Sequence, residues 1–231
     1  MTSEAIILAG GLGTRLRDTV PDLPKCMAPV AGKPFLFYVI DYFQKQGISH
    51  FIFALGYKSE IIEAYIKDLG ISFVVSFEKE PLGTGGAIAQ ACSMAHKKNV
   101  LVLNGDTFFG ISLQAIGDVH EQHQAACTVA LKPMKNFDRY GSVLLNPDMS
   151  IQKFEEKKFQ SSGFINGGIY MLNRDQFMHE TFPQKFSFEK DYLEKKHGSG
   201  LLFGSIQDNY FIDIGIPEDY YRAQTELPLN L

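Results

Sequence analysis

The residues best suited to chemistry open the chain. Gly10-Gly11-Leu12-Gly13-Thr14-Arg15-Leu16 is a glycine-rich stretch, and Lys25 follows Arg15 by ten residues. Glycines let the backbone turn tightly and approach a ligand with no side chain in between. Their free N–H groups can face phosphate oxygens. Arg15 adds a planar fork of donors and Lys25 a compact point charge. This combination points to nucleotide phosphates. It is not the dinucleotide fingerprint, whose third glycine would fall on Leu16, nor a Walker A loop, which ends in Gly-Lys-Ser/Thr. The residues therefore indicate phosphates without choosing the nucleotide. Farther along, Asp106 and Asp213 each follow an apolar run. Carboxylates facing phosphates suit Mg²⁺, which prefers hard oxygen donors and shares them with substrate. Two of them could hold one ion over a transferring phosphoryl group. Taken alone, either aspartate reads equally as a turn or capping residue.

The elements that must carry these residues alternate. Ala5–Ala9 reads as a buried strand. Pro34–Gln46 reads as a helix, with Pro34 in its first turn and Gly47 at its end. Phe51–Leu55 is a second strand, Ser59–Leu69 a helix capped by Ser59, and Ile71–Phe77 a third strand. The glycine-rich segment Glu78–Ala87 leads into a helix from Ala87 to His96. Val100–Leu103 is the next strand, ending in Asn104-Gly105-Asp106. This alternation predicts an α/β fold: a Rossmann-like mixed, mostly parallel sheet with helices on both faces. In such sheets ligands bind beyond the carboxyl ends of the strands, where all three candidate loops fall. Ser112–Gln124 reads as helix, and Ala126–Lys132, Tyr140–Leu145 and Ser150–Glu156 as strands or their approaches. Gly163–Leu172 is a strand interrupted by glycines, which often marks a bulge or a close ligand approach. Gln176–Glu180 and Phe188–Lys196 read as helices, Leu201–Ile206 as a strand, and Pro217 opens a terminal helix to Glu226. The expected organisation is one domain, 1–231, with 1–110 mainly for nucleotide and 111–231 mainly for the second substrate.

Composition narrows the class. The 231 residues are 45% hydrophobic and 21% charged, ordinary for a globular chain. No apolar run approaches the roughly 18 residues of a membrane span, and no signal peptide is evident. Lys plus Arg is 22 against 26 Asp plus Glu, a net charge of -4, which excludes a broad polyanion-binding surface. Neither nucleic acid nor membrane is an expected partner. Cys26, Cys92 and Cys127 are odd in number and lack disulfide or metal spacing, so a reducing cytoplasm is expected. The six histidines show no ligand spacing, apart from His120 and His123 three apart, with no third ligand.

Leu8 to Leu16, with Pro24-Lys25 downstream, resembles the signature of the sugar-1-phosphate nucleotidyltransferases, and further motifs follow in that family's order across essentially the whole chain. The resemblance implies a nucleoside triphosphate held by Leu8, Ala9, Gly10, Gly11, Gly13, Thr14 and Arg15, with Lys25 on the phosphates. It implies a base loop at Pro81, Gly83 and Thr84, with Glu78 or Glu80 reading the base, and Gly105-Asp106 beside the phosphates. Asp106 and Asp213 would hold Mg²⁺, and the catalytic set would be Arg15, Lys25, Asp106 and Asp213. Sugar and sugar phosphate would meet Asn104, Tyr140, Gly141, Glu156, Lys157, Asn166 and Gly168. For Glu156 the alternative is a solvated charge run at Glu155–Lys158. Cys26 stands where many members have proline and should fill space without chemistry. The β-helix that some relatives carry after this domain is not expected here.

The base can be argued partly from chemistry. Guanine presents two adjacent donors, and an ionised carboxylate, acceptor-only, can take both. A carboxylate at Glu78 or Glu80 thus favours GTP over uracil or thymine nucleotides, which suit an amide. Cytosine stays open, as does a plain charged turn at Glu78–Glu80. The substrates implied are GTP and a sugar 1-phosphate. A homo-oligomer stays open, since relatives often form dimers or tetramers. A catalytically silent sugar-nucleotide-binding regulator is the rival reading from another class.

Overall fold

A computed structural model describes residues 2–11, 16 and 19–231. Strand β1 (Glu4–Leu8) leads to a small hairpin, β2 (Pro29–Val30) and β3 (Lys33–Pro34). Helix α1 (Phe35–Lys45), β4 (His50–Leu55), α2 (Ser59–Asp68), β5 (Ser72–Phe77), α3 (Gly83–Cys92) and β6 (Asn99–Asn104) then alternate. These strands pair in the order β5-β4-β1-β6, all parallel. β1, β4 and β6 are buried on both faces, which is why they read as continuous apolar runs, while β5 at the edge is partly exposed. Ile6, Ile52, Val100 and Val102 enter one core with Ile88 and Ala91 of α3. Ile7, Phe51, Phe53, Leu101 and Leu103 enter the other, under α1 and α2. This is the two-residue alternation of a strand applied to a sheet with two covers.

The second half changes direction. After β7 (Thr107–Phe109) and α4 (Leu113–Gln122) come β8 (Cys127–Phe137), β9 (Ser142–Leu145), β10 (Ile151–Phe154) and β11 (Gln160–Asn173). The fourteen-residue β11 runs antiparallel to β6, β8 and β9. Its register against β8 shifts between Asn166 and Tyr170, the irregularity that its glycines foreshadow. Helices α5 (Arg174–Met178) and α6 (Glu194–Lys196), β12 (Leu202–Ile206), β13 (Phe211–Asp213) and α7 (Pro217–Glu226) complete the chain. β12 extends the sheet beside β8. The mixed α/β sheet with helices on both faces is as anticipated. Among the described residues no helix is long and apolar enough to cross a membrane.

Several local expectations change. Ser59 is not a cap: Lys58 takes the cap position in left-handed conformation, φ 52°, with no side-chain cap bond. Helix α3 starts at Gly83 and ends at Cys92, so the glycines form its first turn instead of a preceding loop. They do so because segment 184–186 lies against them. A Cβ on Gly85 would sit 2.2 Å from the Phe186 ring, and one on Gly86 2.5 Å from the Gln184 carbonyl oxygen. Phe188–Leu193 is a π-helix, followed by α6. The pairing of β13 with β7, Asp213 opposite Thr107, has no signal in the sequence.

Candidate active site

That last pairing assembles the charged centre. Asp106 lies between β6 and β7, Asp213 ends β13, and Ile214 N–H donates to the Asp106 carbonyl at 3.1 Å. Lys25 sits on a short helical turn, Lys25–Met27, just after Pro24. Its Nζ donates to Asp106 Oδ2 at 2.6 Å and to Asp213 Oδ1 at 3.3 Å. The lysine side chain is only 13% exposed. An ammonium has three donors, so one stays available to a ligand. Gly215 N–H donates to Asp213 Oδ1 at 2.8 Å and fixes that carboxylate. Two carboxylates converging on one cation form a donor set that fits Mg²⁺, provided substrate phosphates and water complete its shell. Among the described residues no group of three or more His, Cys, Asp or Glu could hold a metal unaided.

Three loops meet at one cavity of about 700 Å³. Leu8, Ala9, Gly10, Gly11 and Lys25 come from the first, Glu78, Pro81, Gly83 and Thr84 from the second, and Asn104, Gly105 and Asp106 from the third. Gly105 N–H donates to the Leu8 carbonyl at 2.9 Å, and a Cβ at Gly105 would stand 2.8 Å from that oxygen. Glycine is therefore required there for packing. Gly13, Thr14 and Arg15 lie outside the described residues. Glu78 is half-buried, and its Oε2 accepts from Leu82 N–H at 3.0 Å. Burial raises its pKa, with the Leu82 N–H pulling the other way. Glu80 is exposed and is not part of the lining. Cys26 lines the cavity, and burial, reinforced by Asp106, pushes its thiol up to about 12. At neutral pH that thiol is not a nucleophile.

Of the residues expected at the sugar, Asn104 lines this cavity and the others do not. Gly168, φ +72°, lies against Asn104, where a Cβ would come 2.6 Å from Nδ2. Asn166 Oδ1 accepts from Gly168 N–H at 2.9 Å. Tyr140 packs edge-on to Phe211, and its hydroxyl is raised to about 12 by burial and then by Asp213. Neighbouring Arg139 is bound to the buried Asp219 at 2.7 Å. Gly141 abuts the Glu155 carbonyl, leaving no room for a Cβ. Glu156 and Lys157 follow directly and are exposed. Sequence reasoning missed Glu189, which lines the cavity from the π-helix, and Tyr57 and Gly215, which also line it. The only signal for Glu189 was its place in a charged helical run.

A doubly covered α/β sheet with glycine turns, a lysine and paired carboxylates at its strand ends defines an enzyme class that handles nucleotide phosphates. The chain belongs to the Nucleotidyl transferase family, which it matches over residues 4–229. It is 50% identical over 226 residues to a D-glycero-alpha-D-manno-heptose 1-phosphate guanylyltransferase of Aneurinibacillus thermoaerophilus, covering 97% of this chain and 98% of that protein. It is 48% identical over 221 residues to a Campylobacter jejuni protein of the same description, covering 95% and 97%. Among solved structures, HddC from Yersinia pseudotuberculosis complexed with GMP-PN superposes with a TM-score of 0.85 at 37% identity, covering 96% of this chain and 98% of that one.

Proposed function

We propose that this enzyme transfers GMP from GTP to D-glycero-alpha-D-manno-heptose 1-phosphate, giving GDP-D-glycero-alpha-D-manno-heptose and pyrophosphate. The observation that carries the proposal is the convergence of Lys25, Asp106 and Asp213 beside a Glu78-walled cavity, in a chain half identical to two proteins so described. An oxygen of the sugar phosphate attacks the α-phosphorus, and the bond from that phosphorus to the α–β bridging oxygen breaks. Pyrophosphate leaves with the electron pair. The nucleophile is already anionic at neutral pH, so positioning and charge stabilisation suffice.

Lys25 meets charge developing on the phosphates, and Arg15 is assigned the same task. Glu78 accepts from the guanine edge. Lys157 holds the incoming phosphate, while Tyr140, Glu156 and Asn166 face sugar hydroxyls. Asp106 and Asp213 would hold Mg²⁺, which neutralises charge on the triphosphate as a Lewis acid. The reading includes one domain, 1–231, with residues 1–110 serving mainly the nucleotide and 111–231 mainly the sugar. It also includes a cytoplasmic location, small-molecule substrates with a homo-oligomer left open, and a product destined for a surface glycan such as lipopolysaccharide, capsule or S-layer.

The test is pyrophosphate release with Mg²⁺, crossing GTP, ATP, CTP, UTP and dTTP with heptose, mannose and glucose 1-phosphates, each repeated with EDTA. Release confined to GTP with the heptose phosphate, and abolished by EDTA, is the expected result. Stronger release with mannose 1-phosphate would reassign the sugar. A different nucleotide would overturn the role of Glu78. Silence throughout would favour a sugar-nucleotide-binding regulator.

A further inference from the structure

One buried hydroxyl links the two halves of the site. In a regular strand, residues four apart lie about 13 Å apart. Asn166 and Tyr170 nevertheless touch: Asn166 Nδ2 donates to Tyr170 Oη at 2.9 Å. The register shift in β11 makes this contact. It depends on Gly167, where a Cβ would stand 2.4 Å from the Phe109 ring, and on Gly168 in the left-handed region. Such a bulge re-aims side chains and is a built feature. The amide of Asn166 cannot flip, because its Oδ1 accepts from Gly168 N–H.

The chain of bonds continues. Tyr170 is fully buried, and burial raises its hydroxyl pKa well above the usual value, so it remains a donor. It donates to Glu189 Oε1 at 3.5 Å. Glu189 Oε2 accepts from Thr84 Oγ1 at 3.1 Å and from Ser187 Oγ at 3.2 Å. Thr84 belongs to the base loop and itself accepts from Phe188 N–H at 2.9 Å. Glu189 stands on the π-helix, a conformation found often at functional sites, and it lines the cavity. A carboxylate offers about four acceptor positions, and three are used here, one of them by a long bond.

We propose that Tyr170 is a positioning residue: its hydroxyl holds Asn166 and Glu189 in one arrangement, so that the cavity-facing carboxylate of Glu189 reads a ligand hydroxyl. A carboxylate repels phosphate and accepts only from donors, so a hydroxyl is the chemistry it selects. Such a hydroxyl could belong to the acceptor sugar or to the ribose of the nucleotide. This inference rests on the proposed transferase reaction, and wild-type turnover tests that reaction separately.

The test compares wild type with Tyr170→Phe, Glu189→Gln and the double variant, by steady-state kinetics and thermal melting. Tyr170→Phe keeps the ring that packs edge-on to Phe188 at 5.0 Å. If the sugar is read, KM for sugar 1-phosphate rises about tenfold in each single variant, with KM for GTP within about twofold. If ribose is read, KM for GTP rises in each single variant, and the preference for GTP over 2′-deoxy-GTP collapses in Glu189→Gln. In either case the double variant loses no more than the worse single one, because both act through one relay. Unchanged KM values in Glu189→Gln, or losses that multiply in the double variant, would overturn the proposal. Should Tyr170→Phe fail to fold, Glu189→Gln with the two GTP analogues decides alone.

Discussion

At the scale of single residues, the charged centre separates turnover from affinity. Lys25 Nζ bridges Asp106 and Asp213, so removing it leaves two carboxylates facing each other and takes positive charge from the transferring phosphate. Lys25→Ala should lower kcat by about 10²- to 10³-fold, the loss seen when one preorganised charge-stabilising donor is removed. KM for the sugar phosphate should move little, because of the residues proposed for the sugar only Asn104 shares the cavity with Lys25. Near-normal turnover in that variant would remove Lys25 from the mechanism. Glu78 tests the base instead. Glu78→Gln replaces an acceptor-only group with one that both donates and accepts. Guanine then loses one of two bonds, and the ratio of kcat/KM for GTP over UTP should fall by about tenfold or more, the worth of a charged hydrogen bond. An unaltered ratio in competition assays would return Glu78 to the role of a wall that only holds Leu82 N–H.

At the scale of elements, legibility follows the range of the interactions. The parallel strands and their loops were readable because each is local: an apolar run, a glycine turn, a polar strand end. Lys25 and Asp106 were therefore legible as candidates, and their shared cavity is a consequence of strand order. Asp213 was nominated by the apolar run before it and supported by resemblance, but its approach to Asp106 depends on the β13–β7 pairing across about a hundred residues, which leaves no local trace. Glu189 was not singled out for the same reason: what aims it is the contact of segment 184–188 with the first turn of α3. Those glycines were read as a loop because glycine disfavours helices, and here the close approach of Phe186 overrides that preference. The bulge in β11 was legible as interrupted strand, though not as a hinge between Asn104 and Tyr170. Gly168→Ala tests it. The substitution combines left-handed backbone with a Cβ 2.6 Å from Asn104, and should cost about 2–4 kcal/mol in urea denaturation. Gly198→Ala, with φ +73° but nothing within 4 Å, should cost about 1 kcal/mol from the backbone alone. Equal losses would show that Asn104 yields freely and that the bulge is not held against it.

At the scale of the whole molecule, one buried and one half-buried group set opposing responses to acid. His120, only 2% exposed, shares a hydrogen bond of 3.0 Å with Thr128. Burial lowers its pKa to about 4, with Glu121 raising it and Lys98 lowering it further. Between the ordinary 6.5 and about 4 the unfolded chain binds the proton more readily than the folded one. The stability His120 contributes is therefore complete above pH 6.5 and is lost as pH falls towards 4, by about 3 kcal/mol. Glu78 acts in reverse. Its folded pKa lies above 4.5 because burial disfavours the charge, so stability falls as pH rises through that shifted value and is recovered on acidification. Urea midpoints measured from pH 7.5 to pH 4.5 should consequently decline less steeply in wild type than His120 alone requires. His120→Gln should flatten the decline, because the group that protonates on unfolding is gone. Glu78→Gln should steepen it, because the opposing slope is gone while the bond to Leu82 N–H can still form. A His120→Gln profile as steep as wild type would mean that the acid sensitivity of this fold resides in its exposed carboxylate pairs instead.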